Sequence, residues 1–112
     1  LRLLKVAYFA ARSDPSVWQD EKFWVETAQA QLAANEATPL SDWWAGGIAP
    51  MLVIQGLEDA IAPVANGRSL NQQFSDRVTL MEIPDAGHAL IVEQPDAVAR
   101  AIVTWLQEQG SL

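Results

Sequence analysis

The second half of the sequence alternates between short apolar runs and helix-like patterns, and this alternation constrains the fold more than any other feature. Residues 51–55 form a strand-like run that is apolar except for Gln55, and residues 77–83 form a second strand-like run that mixes apolar and polar residues. Pro63 suits the first turn of a helix between the two runs, and Pro95 suits the first turn of a helix after them. The order predicts strand, helix, strand, helix over residues 49–112.

Two strands that are joined through a helix are expected to be parallel, with a right-handed crossover. The first run is apolar on both faces, which is typical of a strand in a sheet that has helices on both sides. Parallel strands end at the same edge of a sheet, and the loops at that edge bind ligands in open α/β proteins. A functional site is therefore expected in the loops at residues 56–62 and 84–92.

Both predicted helices carry an apolar stripe that should face the core. The stripe residues are Val64, Leu70 and Phe74 in the first helix, and Val98, Ala101, Ile102 and Trp105 in the last.

Residues 1–48 are predicted to form a separate helical segment. Residues 1–11 favour a helix, and a longer amphipathic helix is predicted to start at Pro15, after Ser13 and Asp14. Its apolar residues recur at spacings of three, four and seven: Val17, Trp18, Trp24, Val25, Ala28 and Leu32.

The stretch at residues 35–39 interrupts this helical pattern and is the nearest thing to a hinge. Thr38 is then a candidate N-cap for a short helix that includes Trp43 and Trp44. Two glycines, at positions 46 and 47, are expected to end that helix.

Composition excludes several classes of function. The 112 residues suffice for one core, and 14 acidic against 7 basic side chains give a net charge of -7, which repels nucleic acids and anionic membranes. No cysteine and a single histidine argue against disulfides, thiolate nucleophiles and zinc sites, so no cofactor or metal is expected. The apolar start, residues 1–11, carries two basic side chains and is too short to cross a bilayer, so a soluble, cytoplasmic protein is predicted.

Acidic side chains and the single histidine occupy the two loops at the predicted sheet edge. Glu58 and Asp59 follow Gly56 in the first loop, and Asp85 and His88 lie in the second. A carboxylate beside an imidazole can accept its Nδ1 proton, fix its tautomer and stabilise the imidazolium that forms when Nε2 removes a proton. The pattern favours the orienting pair of a hydrolase.

The motifs around these residues resemble the C-terminal part of the α/β-hydrolase superfamily. Gly56 and Asp59 form G-x-x-D with a proline four positions later, and Gly87 and His88 begin G-H-x-x-x-x-E-x-P. The resemblance implies an α/β fold in which Asp59 is the acid and His88 the general base of a catalytic triad, in the family order of acid before histidine. It also implies that residues 1–48 are part of a helical cap and residues 49–112 part of the hydrolase core.

The nucleophile of that family is absent. Its elbow, G-x-S-x-G or the form with Asp in place of Ser, occurs nowhere in the sequence. Since the chain starts at Leu1, the simplest interpretation is a fragment whose nucleophile lies upstream, inactive alone and acting in the whole protein on a small, largely apolar ester-like substrate. Such a fragment is expected to associate with itself or with the remainder of its hydrolase. The alternative is a non-catalytic α/β binding or interaction domain that keeps only the topology.

Other residues near the site have simpler interpretations. Glu58 is expected to be a solvated charge, and Asp85, which could also reach His88, is better explained as a turn former. Glu93 is expected to help initiate the last helix, and Gly87 to allow close approach of the backbone. Two tryptophans, Trp43 and Trp44, are expected to pack the cap or hinge, with lining of the substrate site as the alternative.

Overall fold

The computed structural model describes residues 7–18 and 25–110. A 3-10 turn, Pro15–Trp18, comes first. The regular elements that follow are α1 (Val25–Ala37), α2 (Leu40–Trp43), β1 (Met51–Gly56), α3 (Val64–Gln73), β2 (Val78–Ile83), α4 (Leu90–Glu93) and α5 (Pro95–Glu108).

The two strands form a parallel pair, as the sequence predicts. Their register runs from Met51 opposite Val78 to Gly56 opposite Ile83. Both strands therefore end at the same level, and the loops that follow them leave the sheet side by side. The chain has the predicted α/β fold, with strand, helix, strand and helix in the predicted order.

The expectation that β1 is fully buried is wrong for the part of the chain that the structure describes. Residues 51–54 are only half-buried, and Gln55 and Gly56 alone in this strand are buried. The reason is that the described sheet has two strands, so no described strand covers the second edge of β1.

Helix α3 returns the chain to the start of the sheet and packs on it through a glycine. Gly67 is buried, and a Cβ at this position would lie 3.1 Å from Leu80 Cδ1 and 3.6 Å from Val53 Cγ1. A residue without a side chain lets the helix approach both strands. The predicted stripe residues of this helix, including Phe74 just after its end, are half-buried.

The core lies between β2 and α5. Ile83, Ala86 and Val98 are buried together, and Ile54 and Leu90 pack against them. The predicted stripe of the last helix is confirmed at Val98 and Ala101, and Trp105 is half-buried. At Ile102 the prediction of a core position is wrong, because this side chain is 41% exposed. The short helix α4 was not predicted.

The first part of the chain differs most from the prediction. Residues 7 and 8 are helical and the chain then leaves the helix, so the predicted helix over residues 1–11 ends early, and its residues 1–6 lie outside the described ranges. Pro15 begins a 3-10 turn; Trp24 and the rest of residues 19–24 also lie outside those ranges.

Helix α1 does not bury an apolar face. Residues 26–37 are all exposed, including Leu32 at 59%. Apolar spacing predicted an amphipathic helix, but no described element covers this face.

Thr38 does not cap the short helix that follows. Pro39 occupies the N-cap position of α2, and the Thr38 hydroxyl donates to the carbonyl of Ala34, in the last turn of α1. A threonine that bonds back to the preceding turn finishes one helix and does not start the next. The division of the chain near residue 48 stays a prediction. Among the described residues, no helix is both long and apolar enough to span a membrane.

Candidate active site

Two loops meet at the carboxyl edge of the sheet. The acid loop, residues 56–62, follows β1, and the histidine loop, residues 84–89, follows β2. Leu57 N–H donates to Ile83 O at 3.0 Å, and Glu58 N–H donates to Ala86 O at 2.9 Å. Backbone hydrogen bonds between the two segments therefore continue past the ends of the strands. Gly56 permits this approach, because a Cβ there would lie 2.5 Å from the carbonyl oxygens of both Ala86 and Gly87. The loops are therefore held in direct contact.

Asp59 is fixed by bonds to both of its carboxylate oxygens. Oδ1 accepts the backbone N–H groups of Ile61 and Ala62, each at 2.8 Å, and Oδ2 lies 3.0 Å from His88 Nδ1. The Asp59 side chain is only 4% exposed. A carboxylate held by its own loop in this way presents one oxygen to the imidazole in a defined direction.

The environment of Asp59 keeps it ionised. Burial disfavours the charged carboxylate and by itself would raise the pKa. Hydrogen bonds from the Ala62 N–H, from His88 and from the Ile61 N–H, together with attraction to His88, outweigh burial and hold the pKa of Asp59 below its usual value of 3.8. Asp59 is therefore negative at neutral pH and is the acceptor in its bond with His88.

His88 lies within hydrogen-bonding distance of Asp59, as the sequence predicts for the pair. Its Nδ1 faces Asp59, and its side chain is 40% exposed. Since Asp59 is ionised, Nδ1 carries the proton in the neutral ring, and Nε2 is the basic nitrogen. The ring packs against Tyr8 in a T-shaped contact, with ring centroids 5.5 Å apart and planes at 61°. This imidazole can take a proton through Nε2 while Asp59 stabilises the resulting charge.

The other two loop carboxylates do not contact the imidazole. Glu58 is exposed, and its Oε2 accepts the backbone N–H of Ala11 at 3.1 Å. Asp85 has a φ of 54°, as expected of a turn former, and its Oδ1 lies 4.0 Å from the Arg12 guanidinium. Of the acids weighed from the sequence, the structure brings only Asp59 to the ring.

Gly87 and Glu93 connect the histidine loop to residues near the start of the chain. A Cβ at Gly87 would lie 2.7 Å from Tyr8 O and 2.8 Å from Ala10 N, so the predicted close approach of the backbone is present. Glu93 was expected to help initiate the last helix. Instead, its two oxygens accept the N–H groups of Ala10 at 2.6 Å and Gly87 at 2.7 Å.

Comparison with known proteins shows the family. Residues 2–101 match the alpha/beta hydrolase family. The chain belongs to the alpha/beta hydrolase family. Asp59 and His88 occupy the two motifs by which the sequence resembles this family. No curated protein matches the sequence.

One solved structure with the same fold is a thermophilic esterase from Thermogutta terrifontis, determined with malate bound. The two chains are 32% identical and superpose with a TM-score of 0.59, over 69% of this chain. The match covers 28% of the esterase chain. This α/β hydrolase sequence thus spans less than a third of that enzyme.

The nucleophile elbow of α/β hydrolases is missing from the printed sequence. No serine or aspartate lies between glycines in the spacing that the elbow requires. The two motifs that hold Asp59 and His88 are present in the sequence.

The two tryptophans suggested as substrate contacts lie away from the pair. Trp44 Nε1 donates to Gln73 Oε1 at 2.9 Å, and Gln73 ends α3, a 10-residue helix that starts beside the acid loop and is about 15 Å long. Trp44 is therefore at the amino edge of the strands, opposite the pair. Trp43 is 52% exposed and lines a shallow cavity with residues of α1. The structure brings neither tryptophan to the pair, and their contact with substrate stays a prediction.

Three residues at the α/β hydrolase site were missed or misread from the sequence. Gln55 is 7% exposed; its Nε2 donates to Ala62 O at 3.0 Å and lies 3.5 Å from Asp59 Oδ2. A polar residue at the end of an apolar run was a signal for it, because a buried amide needs partners. Glu93 stands in the motif that begins at Gly87, but the motif does not indicate what Glu93 contacts, and Tyr8 had no signal, since these contacts join distant parts of the chain.

Proposed function

We propose that this chain supplies the acid and the general base, Asp59 and His88, of an α/β hydrolase that cleaves a small, largely apolar ester-like substrate. The observation that carries the proposal is the 3.0 Å contact between Asp59 Oδ2 and His88 Nδ1. A non-catalytic binding domain, the alternative, has no need of this contact.

The proposed chemistry is a proton relay that serves a nucleophile. If the nucleophile is a serine, His88 Nε2 takes the hydroxyl proton as the oxygen attacks the ester carbonyl, and Asp59 stabilises the imidazolium. The imidazolium then gives the proton to the departing alcohol, and water hydrolyses the acyl-enzyme by the same route. If the nucleophile is an aspartate, His88 instead activates the water that attacks the covalent ester.

We propose that the nucleophile lies on residues that precede Leu1 in the whole protein. Support comes from the absence of an elbow in this sequence and from the 28% share of the esterase that the match covers. We likewise propose that residues 1–48 belong to the cap. The exposed edges of the described sheet support pairing of this chain with the remainder of its hydrolase or with a second copy. A cytoplasmic location stays a prediction.

The test compares two proteins with an activated ester such as p-nitrophenyl butyrate. One is the 112-residue chain, and the other is the same chain extended upstream through its elbow. We expect turnover only from the extended protein, with a loss in kcat of about 10⁴-fold for Asp59→Asn and about 10⁶-fold for His88→Ala.

Two results would overturn the proposal. Turnover by the 112-residue chain that His88→Ala abolishes would show that the nucleophile is in this sequence. Full activity of His88→Ala in the extended protein would remove the pair from the mechanism.

A further inference from the structure

The Glu93 carboxylate joins two segments that are far apart in sequence. Its Oε1 accepts the Ala10 N–H at 2.6 Å, 83 positions away, and its Oε2 accepts the Gly87 N–H at 2.7 Å. Ala10 is 2% exposed and Gly87 is buried. Buried N–H groups require acceptors, and a carboxylate is the side chain that offers two equivalent oxygens.

The segment of residues 8–11, which Glu93 holds at the Ala10 N–H and Glu58 at the Ala11 N–H, lies along the histidine loop. Tyr8 O accepts the Ala89 N–H at 2.8 Å, and the backbone of residues 8–10 fills the space that a Gly87 side chain would need. Tyr8 thus fixes the peptide group that follows His88, and Glu93 fixes the peptide group between Ala86 and Gly87, one residue before it. The position of the histidine backbone depends on this segment.

The same segment also contacts the imidazole. The Tyr8 ring meets the His88 ring edge to face at 5.5 Å. A ring that is 40% exposed has few neighbours to restrict its rotation, so the Tyr8 contact and the bond to Asp59 together set its orientation.

We infer that Glu93 is a positioning residue for His88. It holds the segment that carries Tyr8 and the Gly87 peptide group, and so keeps His88 Nδ1 on Asp59. The effect of Glu93 on the position of the His88 ring follows from these contacts alone. The effect of Glu93 on turnover rests on the proposed function. Glutamine at this position is a close test, because it keeps the shape but replaces one acceptor oxygen with an NH₂ group that faces an N–H donor.

The first measurement needs no activity. The chain has one histidine, so a ¹⁵N NMR spectrum of the imidazole reports on His88 alone. In the 112-residue chain we expect Glu93→Gln to speed exchange of the His88 Nδ1 proton with water by about tenfold or more, as an order of magnitude for a loosened contact. The matched control is Glu108→Gln, an exposed change near the end of α5 that should leave the signal unchanged.

The second measurement uses the extended hydrolase. Glu93→Gln is expected to lower kcat by about ten- to a hundredfold with KM unchanged, because misplacement of a catalytic group acts on the chemical step. Combined with Asp59→Asn, the loss should be much smaller than the product of the two single losses, because both act through His88. A general loss of stability would instead give independent effects.

The outcomes separate this inference from the proposed function. Unchanged exchange of the Nδ1 proton in a folded Glu93→Gln chain would overturn the inference, whatever the kinetics show. If His88→Ala keeps full activity, the proposed function fails, and the NMR result still decides the role of Glu93. If Glu93→Gln does not fold, Tyr8→Leu tests the same route: faster exchange supports it, and an unchanged signal overturns it.

Discussion

Gly56 allows the acid loop and the histidine loop to approach each other closely, so Gly56→Ala should separate Asp59 from His88. The added Cβ would lie 2.5 Å from the carbonyl oxygens of Ala86 and Gly87 and 2.9 Å from the carbonyl carbon of Ala86. All three atoms are backbone, so no side chain can rotate away. Ordinary contact begins near 3.4 Å, which requires the histidine loop to retreat by about 0.9 Å.

A displacement of this size affects both stability and the pair. Forced overpacking at a buried position costs about 1 to 3 kcal/mol of unfolding free energy, and the Glu58 N–H to Ala86 O bond of 2.9 Å is stretched as well. A shift of about 1 Å in a catalytic group can lower turnover by about 100-fold. We therefore expect a less stable chain in which the His88 Nδ1 proton exchanges faster with water.

The assay is urea unfolding followed by tryptophan fluorescence, together with the imidazole NMR signal of His88. Gly67→Ala is the matched control, because its Cβ would meet only side-chain atoms, Leu80 Cδ1 at 3.1 Å and Gln55 Oε1 at 3.4 Å, and because alanine favours the helix over glycine by about 0.5 to 1 kcal/mol. The control should change stability by less than about 1 kcal/mol and leave the His88 signal intact. A Gly56→Ala chain as stable as the parent, with an unaltered His88 signal, would refute the steric argument.

Two further changes test the bonds around Asp59. Because the folded-state pKa of Asp59 is lowered, its contribution to stability is present above the unfolded pKa of about 3.8 and is lost as the pH falls through the folded value. The parent should therefore lose more stability than Asp59→Asn between neutral pH and acid, and parallel unfolding curves at both pH values would contradict this. Gln55→Leu leaves the Ala62 carbonyl without its 3.0 Å donor, so it should cost about 1 to 3 kcal/mol in urea unfolding, whereas Gln72→Leu on the exposed face of α3 should cost less than half of that. Equal costs for the two glutamine variants would show that the buried bond is unimportant.

The parts of the site that follow from local pattern could be predicted from the sequence. The strand-like runs at residues 51–55 and 77–83 became β1 and β2, and their parallel pairing put Asp59 and His88 at one edge. Each of these steps depends on residues close in sequence or on a general rule of topology. The pair could be found because its two members directly follow strands.

Features that depend on distant contacts could not be predicted. Glu93 stands in the motif that begins at Gly87, but nothing in that motif indicates an acceptor for the N–H of residue 10. The error in α1 has a related cause: apolar spacing predicts a face that could be buried, but it does not show whether any surface covers that face. Leu32, at 59% exposed, illustrates the difference.

The two strands end at the same level, and this limits which insertions the candidate site can tolerate. Gly56 lies opposite Ile83, and a slip of one residue would move one loop by about 3.3 Å relative to the other, more than the 3.0 Å that joins Asp59 to His88. Residues 64–77, which include α3 and follow the acid loop, connect the strands at this level, so the length of this segment is a functional property in addition to the identity of Asp59. Insertions between residues 64 and 77 should therefore be far more damaging to catalysis than substitutions there.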